Sequence, residues 1–589
     1  MDDQEIFDNV NGRMHGPMNG FIKKYFGDFR YIPEEASLEI WTAGKVHSRY
    51  VVPKVPPSPN NFIQWFCNYT SQESGPARGH WHILSDDMAP GDGVNNGSER
   101  LLLTMSAPLA LNKNTAKWDH VQVIGQFHHG GICYQDGLLH LCRSAHNVFA
   151  SQPTRLFLHG FYMRGSLVEL WVFDRSGLYC SEIIDIQKEF VQFLFAILRY
   201  QQMTDSELGN IDIIKTDESG SYIVLDNTVT PPLGKLYLEH QPIAAREGLV
   251  GNGTTCYQAR TPNTSQWNHV LKFKWRWARK RSEDELLVQA KEKGVWGAVS
   301  LDYYHEVEST ANLRRSLRWG THRKLVKAKF CERQESIEER CIVDGLVDYT
   351  EETDDFFQNR ILTCVITSPV GGPLHTFQSL KELIQVFRDS IKCHRSLYCD
   401  ARILHQDVSP GNMIILDSQD ENKPKGILID LDSAIELADG LETEPEITGT
   451  RPFMAIGVLK SERHTYRHDL ESFFYVFLWT IITNHTDNPP ATSKLRRWSD
   501  GDWNELAARK ILDMNLENFQ SILEEFTTEF DSLKPLAQSL HQILFPVRDG
   551  VLWTGTESSC EAVNKLYDRF ISAFEESIAF EACKQIYDK

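Results

Sequence analysis

Three oxygen-bearing side chains stand out by type and spacing: Asp407, Asn412 and Asp430. They fall in Ile403-Leu-His-Gln-Asp-Val-Ser-Pro-Gly-Asn-Met-Ile-Ile-Leu416 and in Gly426-Ile-Leu-Ile-Asp-Leu-Asp-Ser-Ala434. Two short apolar runs, Met413–Leu416 and Ile427–Ile429, flank a polar insert, Asp417 to Gly426, and together they predict a β-hairpin. In an antiparallel hairpin the start of the first strand lies beside the end of the second, so Asn412 and Asp430 converge at one mouth. Asp407, on the loop that enters the hairpin, can reach the same mouth. Asn412 and Asp430 then offer oxygen ligands to Mg²⁺, a hard cation, while Asp407 orients a hydroxyl nucleophile or accepts its proton.

These groups need elements to hold them. Upstream, Leu380, Leu383, Ile384, Phe387, Ile391 and Leu397 fall near one face of a helix leading into the loop. Downstream, Asp469 to Trp479 is apolar all round after its first turn, which predicts a fully buried helix. Further upstream, Leu249-Val-Gly251-Asn-Gly253-Thr-Thr-Cys256 matches a phosphate-cradling G-x-G-x-x-G loop at its first two glycines, with Cys256 at the third. Lys272 on the following strand can meet phosphates, with Lys274 on the same face as the alternative. Glu283, or its rival Glu285, precedes Leu286, Leu287 and Ala290 at helical spacing and can present a carboxylate to that lysine. The run Lys272 to Arg281 is basic at six of ten positions and interleaves Phe273, Trp275 and Trp277. A strand with alternating faces running into a solvated helix start explains it more simply than a nucleic-acid groove does.

The chain has 589 residues and a net charge of −19, with 41% hydrophobic and 11% aromatic residues. That supplies several buried cores and argues against a basic nucleic-acid surface. Its 12 cysteines form no CxxC pair, which argues against a zinc ribbon or a dense disulfide framework. The acidic start, without an apolar core, argues against a secretory signal, and the run Phe473 to Ile482 is about half the ~20 residues of a membrane span. The expectation is a soluble intracellular protein, cytoplasmic or nuclear. Breaker clusters at 52–61, 89–98 and 228–234 punctuate the amino-terminal part. Between them His120–Gly125 and Leu167–Phe173 read as strands and 186–200 as a helix, an α+β unit of its own. Residues 486–589 read as helical, as over Leu516 to Phe530, with no chemistry visible.

The order Gly251-x-Gly253, Lys272, Glu283, Thr367-Ser-Pro-Val-Gly-Gly-Pro-Leu374 (a candidate hinge), His405-Gln-Asp407, Asp430-Leu-Asp432, Gly449-Thr-Arg-Pro-Phe-Met-Ala455 and His468-Asp-Leu-Glu-Ser-Phe-Phe-Tyr475 resembles the fungal-type protein kinase family. So do Ser151–Arg155 and Phe173–Gly177 ahead of it. The resemblance covers roughly residues 115 to 485. It implies an α+β, two-lobed protein-kinase-like fold preceded by a separate α+β amino-terminal unit, with ATP and Mg²⁺ as cofactors and Ser/Thr hydroxyls of a protein substrate as acceptors. The implied domains are an extension over 1–114, the α+β unit over 115–235, an N-lobe over 240–370 with an insertion at about 305–355, and a C-lobe with carboxy-terminal helices over 371–589. Carried over by motif, Asp407, Lys272, Glu283 and His405 are catalytic, Gly251, Gly253, Lys272, Thr367 and Val370 hold nucleotide, and Asn412 and Asp430 hold metal.

Four departures matter. Gln406 replaces the arginine that usually meets an activation-loop phosphate, Asp432 replaces the glycine of a DFG triplet, Gly457 replaces an anchoring glutamate, and Ser409 replaces a lysine. They partly echo small-molecule phosphotransferases of the aminoglycoside and choline kinase type, and a catalytically weak pseudokinase scaffold is a further alternative. The unit over 115–235 also resembles a restriction-endonuclease-like strand arrangement. Metal-dependent cleavage there would need a carboxylate and a lysine where Gln126 and His128 stand, so the expected role is structural or partner-binding. His128 and His129, next to Gly130, read as loop histidines.

Overall fold

The computed structural model describes residues 3–27, 30–32, 37–42, 45–51, 55–70, 79–85, 98–104, 118–128, 134–226, 234–246, 248–319, 322–323, 357–417, 420, 423–437, 447–486 and 488–587. The cluster at 89–97, the break at 228–233, His129, Gly130 and most of the expected insertion lie outside the described residues. The chain forms two compact units: residues 1–265, 271–280 and 305–364 make the first, and 266–270, 281–304 and 365–589 the second. Residues 1–235 thus share a unit with much of 240–370.

In the first unit a mixed sheet runs in the order His322–Arg323, Met14–His15, Gly177–Cys180, Leu167–Asp174, Phe157–Arg164, Val121–His128, Ser98–Thr104, His80–Ser85. Phe157–Arg164 and Leu167–Asp174 pair around a two-residue loop in which Gly165 takes φ +59°, as the twist of a tight hairpin requires. Val121–His128 pairs parallel to Phe157–Arg164, with Val123 opposite His159, and the helix Tyr134–Ser151 makes the crossover. Every residue of Val121–His128 is buried, as both faces of this strand are covered. The helix α1 (Asp3–Val10) contributes Ile6, Phe7 and Val10 to the same core. The expected strand at 120–125 therefore starts one residue later and runs to His128. The expected helix over 186–200 starts at Phe190, because the amides of Lys188 and Glu189 both close a turn on the Asp185 carbonyl.

The second sheet runs Lys215–Asp217, Gly220–Val224, Lys235–Leu238, Thr255–Arg260, His269–Trp277, Arg360–Ser368, Ser300–Ser309. Leu271, Phe273 and Trp275 are wholly buried along one face of His269–Trp277. The Phe273 and Trp275 rings are packed inside and Trp277 is half-buried, so the basic run begins as a half-buried strand rather than a stacking platform for bases.

The second unit is mainly helical. It contains α2 (Glu283–Glu292), α3 (Leu380–Cys399), α4 (Tyr466–Thr483), α5 (Trp503–Asp513), α6 (Leu516–Leu523), α7 (Lys534–Leu544) and α8 (Cys560–Tyr587). Ser379 caps α3 by accepting the Glu382 amide at 3.2 Å. All residues of α4 are buried, as its uniform apolar character predicts. Against α3 lies a small sheet in the order Gly372–Pro373, Met413–Ile415, Gly426–Leu428. Among the described residues no helix is long and apolar enough to cross a membrane. This is a mixed α+β, kinase-like fold.

Candidate active site

Met413 pairs with Leu428 and Ile415 with Gly426, so the expected hairpin forms. At its mouth the Ile429 amide donates to the Asn412 carbonyl at 3.0 Å, which sets Asn412 beside the residue preceding Asp430. Pro410 opens a short 3-10 turn, Pro410–Asn412, that swings the loop into the first strand. The Asn412 amide nitrogen donates to the Asp407 carbonyl at 2.8 Å and to its carboxylate at 3.3 Å. Its side-chain oxygen is then the atom left for a cation. His405 is wholly buried, with Nε2 3.1 Å from the Ile429 carbonyl and Nδ1 accepting the Asp407 amide at 3.3 Å. Burial lowers its pKa, and with both ring nitrogens engaged it ties the loop to the hairpin.

Asp430 adopts a left-handed φ of 69° and caps the turn Leu431–Ser433, its carboxylate accepting the Asp432 amide at 3.3 Å. Non-glycine residues in that region cost energy and concentrate at functional sites. Glu283, in the acidic first turn of α2, accepts the Leu431 amide at 3.2 Å. Oxygens of Glu283, Asp430 and Asp432 lie within 4.8 Å of one another. This all-oxygen set, with Asn412 paired to Ile429 at the mouth of the same hairpin, fits a hard divalent cation and lacks the sulfur and imidazole ligands of a zinc site. Reading the sequence places Glu283 opposite Lys272; its contacts within the second unit are with the Asp430–Asp432 turn.

The loop is braced from beneath. Asp469 on α4 accepts the Gln406 amide at 3.2 Å, His394 Nε2 at 2.8 Å and His464 Nε2 at 2.7 Å. Burial alone would push Asp469 up, but the two imidazoles hold it well below the usual carboxylate range. Tyr567 on α8 meets the far nitrogen of His394 at 2.8 Å, so a carboxy-terminal helix reaches the Asp407 loop through His394 and Asp469. Gln406 itself sits at φ 66°.

A second segment, Gly449–Ile456, abuts the loop. Gly449 (φ +127°) faces the Gln406 carbonyl so closely that an added Cβ would lie 3.1 Å from it. The Thr450 hydroxyl donates to the Asp407 carboxylate at 2.7 Å. Lys510 Nζ donates to the carbonyls of Pro452 and Met454 at 2.8 and 2.6 Å. Glu471 accepts the Ile456 amide at 2.7 Å and pairs with Arg467 at 2.8 Å. A Cβ at Gly457 would come within 2.5 Å of His468, so an anchoring glutamate has no room there. The anchoring glutamate stands on α4 instead.

In the first unit, Lys272 is half-buried and Lys274 buried on His269–Trp277, where the Thr363 hydroxyl donates to the Lys274 carbonyl at 3.1 Å. Gly251 and Gly253 lie at the tip of a hairpin whose arms pair Leu238 with Ala259 and Ala244 with Cys256. That tip is turned into the core beside α1. Leu249 and Val250 are buried there, and Asn9 accepts both their amides, at 2.9 and 2.8 Å, while donating to the Val250 carbonyl at 3.0 Å. The Gly251 amide donates to the Arg175 carbonyl at 2.9 Å. Three amides of the loop are therefore engaged within the protein. In the second unit, Thr367, near the end of Arg360–Ser368, and Val370, ahead of Gly372–Pro373, are half-buried, and Gly372–Pro373 pairs with Met413–Ile415.

A two-stranded ribbon carrying Asn412 and Asp430, entered by Asp407 and braced by Asp469, defines a phosphotransferase of the kinase class. A family model described as fungal protein kinase matches residues 102–481, and the chain belongs to that family. No curated protein matches it.

Proposed function

We propose that the chain is an ATP-dependent protein kinase acting on Ser/Thr hydroxyls of protein substrates, with its N-lobe in 240–370 and its C-lobe in 371–589. The observation that carries this reading is the Asp407 carboxylate, which already accepts an alcohol from Thr450 at 2.7 Å, on the loop that enters the hairpin ending at the Asp430 cluster. Asp407 would accept the acceptor hydroxyl in the same way and take its proton as the phosphoryl group leaves ATP. Asn412 and Asp430, with Asp432 and Glu283, would hold Mg²⁺, which neutralises charge on the transferring phosphates. Lys272 would steady the phosphates, with Thr367 and Val370 beside the adenine, and His405 would keep Asp407 in place. Residues 1–235 would act as a structural or partner-binding unit, and the protein would work in the cytoplasm or nucleus.

The test is single-turnover transfer from labelled ATP by Asp407→Asn: loss of transfer is expected, and a rate equal to wild type discards the assignment. A second reading, a weak or silent kinase acting as a scaffold, is favoured by the engaged amides of Leu249, Val250 and Gly251. Thermal-shift titration with Mg-ATP separates the two, because a ligand bound to the native state raises its stability by mass action. Asp432 in place of glycine favours a small-molecule acceptor, for which a metabolite panel is the discriminating assay.

A further inference from the structure

Lys510 lies on the buried face of α5, together with Leu506 and Ala507, and is wholly inaccessible. Its ammonium sits 4.0 Å from the centroid of the Tyr475 ring and 5.0 Å from that of Trp498. The carboxylates nearest it electrostatically are Glu471 and Asp513. Both have other partners: Glu471 binds Arg467, the Tyr475 hydroxyl and the Ile456 amide, and Asp513 accepts the Trp498 indole at 2.9 Å. The hydrogen bonds of Lys510 go instead to two carbonyls, those of Pro452 and Met454. Burying an ammonium is costly, and methionine would fill the same volume without that cost. What the ammonium adds is a fixed position for two peptide groups in the segment that carries Thr450 to Asp407.

We propose that Lys510 is a positioning residue for the acceptor. By fixing the carbonyls of Pro452 and Met454 it fixes the backbone of 449–456, and hence the wall that a polypeptide acceptor meets beside Asp407. With Glu471 at the far end, it replaces the anchor for which Gly457 leaves no room. The proposal rests on the kinase reading of Asp407.

Two measurements on the full chain test it, using Lys510→Met, which keeps the aliphatic stem, and Lys510→Gln, which keeps an amide donor. Hydrogen exchange requires no activity. Peptides spanning 449–457 should exchange about tenfold faster in Lys510→Met and less so in Lys510→Gln, with peptides from α3 and the 413–428 hairpin unchanged. Unaltered exchange at 449–457 overturns the proposal whatever the enzyme does. In steady-state assays the KM for a protein acceptor should rise about tenfold in Lys510→Met, the KM for ATP staying within about twofold, with partial recovery in Lys510→Gln. Faster exchange with an unchanged acceptor KM and kcat overturns the positioning role. A wild-type chain that phosphorylates no acceptor overturns the kinase reading itself, and the acceptor role with it, while the exchange result separately reads the clamp. Should Lys510→Met fail to fold, Lys510→Gln carries both measurements.

Discussion

The Thr450 hydroxyl and the Asp407 carboxylate meet at 2.7 Å, although 43 residues separate them in sequence. The contact joins the loop that holds the candidate base to the segment that follows the Asp430–Asp432 turn. It also keeps the carboxylate oriented, since Asn412 reaches the same group from the other side at 3.3 Å.

Replacing Thr450 by valine conserves shape and removes the donor. Transfer to a protein acceptor should fall about ten- to a hundredfold in kcat/KM, and Thr450→Ser should stay within about threefold of wild type. Equal rates for the Val and Ser variants would show that the hydroxyl is not used.

The carboxylate cluster can be read without turnover. Mn²⁺ should raise the melting temperature of the wild-type chain, because the oxygens of Glu283, Asp430 and Asp432 gather within 4.8 Å of one another in the folded state, and a ligand taken up by that state alone stabilises it. Asp430→Asn should abolish that rise and Asp432→Asn reduce it. A full metal-induced rise in both variants would remove these residues from the ligand set.

Asn9→Ala removes the acceptor of the Leu249 and Val250 amides and the donor to the Val250 carbonyl. The expected loss is about 1–3 kcal/mol of unfolding free energy, measured by urea titration. A change within about 0.5 kcal/mol, the size of an ordinary surface substitution, would mean that water replaces the side chain at no cost.

Burial pushes the Lys510 ammonium down to about 7, against its ordinary 10.5. Between those two pH values the unfolded chain binds more protons at this position than the native one. Stability therefore rises with pH across that window on account of Lys510. Lys510→Met lacks the group and lacks this rise, so the stability of wild type relative to Lys510→Met should increase from pH 7 to 9 in denaturant titrations. The same difference at both pH values would mean that the lysine titrates normally. Tyr475 and Trp498, with Glu471 and Asp513, face the ammonium, and the two carboxylates act to retain its proton.

Much of this site can be read in the sequence because it is local. Two apolar runs around a polar insert specify the hairpin, and antiparallel pairing then brings the start of the first strand beside the end of the second. The all-apolar helix after Asp469 is legible for the same reason. Other parts are set by contacts between distant residues. Asn9 lies 240 residues from the amide of Leu249, and nothing near either residue announces the pairing. Tyr567 and His394 are likewise joined only by the packing of α8 on α3. Lys510 did leave a signal: it falls at the helical spacing of Leu506, Ala507 and Asp513, a charge on an otherwise buried stripe. The predicted helix over Leu516 to Phe530 ends at Leu523, where the Phe526 amide turns back to the Leu523 carbonyl and a 3-10 stretch begins at Thr528. Periodicity alone does not see that stop.

The hairpin tip at Leu249 and Val250 bears on how this protein can be divided. Severed at about residue 236, the downstream fragment would bare two aliphatic side chains that each gain about 1.5–3 kcal/mol from burial. It would also leave behind α1, which completes their enclosure. The amino-terminal third therefore encloses part of the chain that follows it, and gene fusions or deletions that part the two should yield sticky, aggregation-prone products.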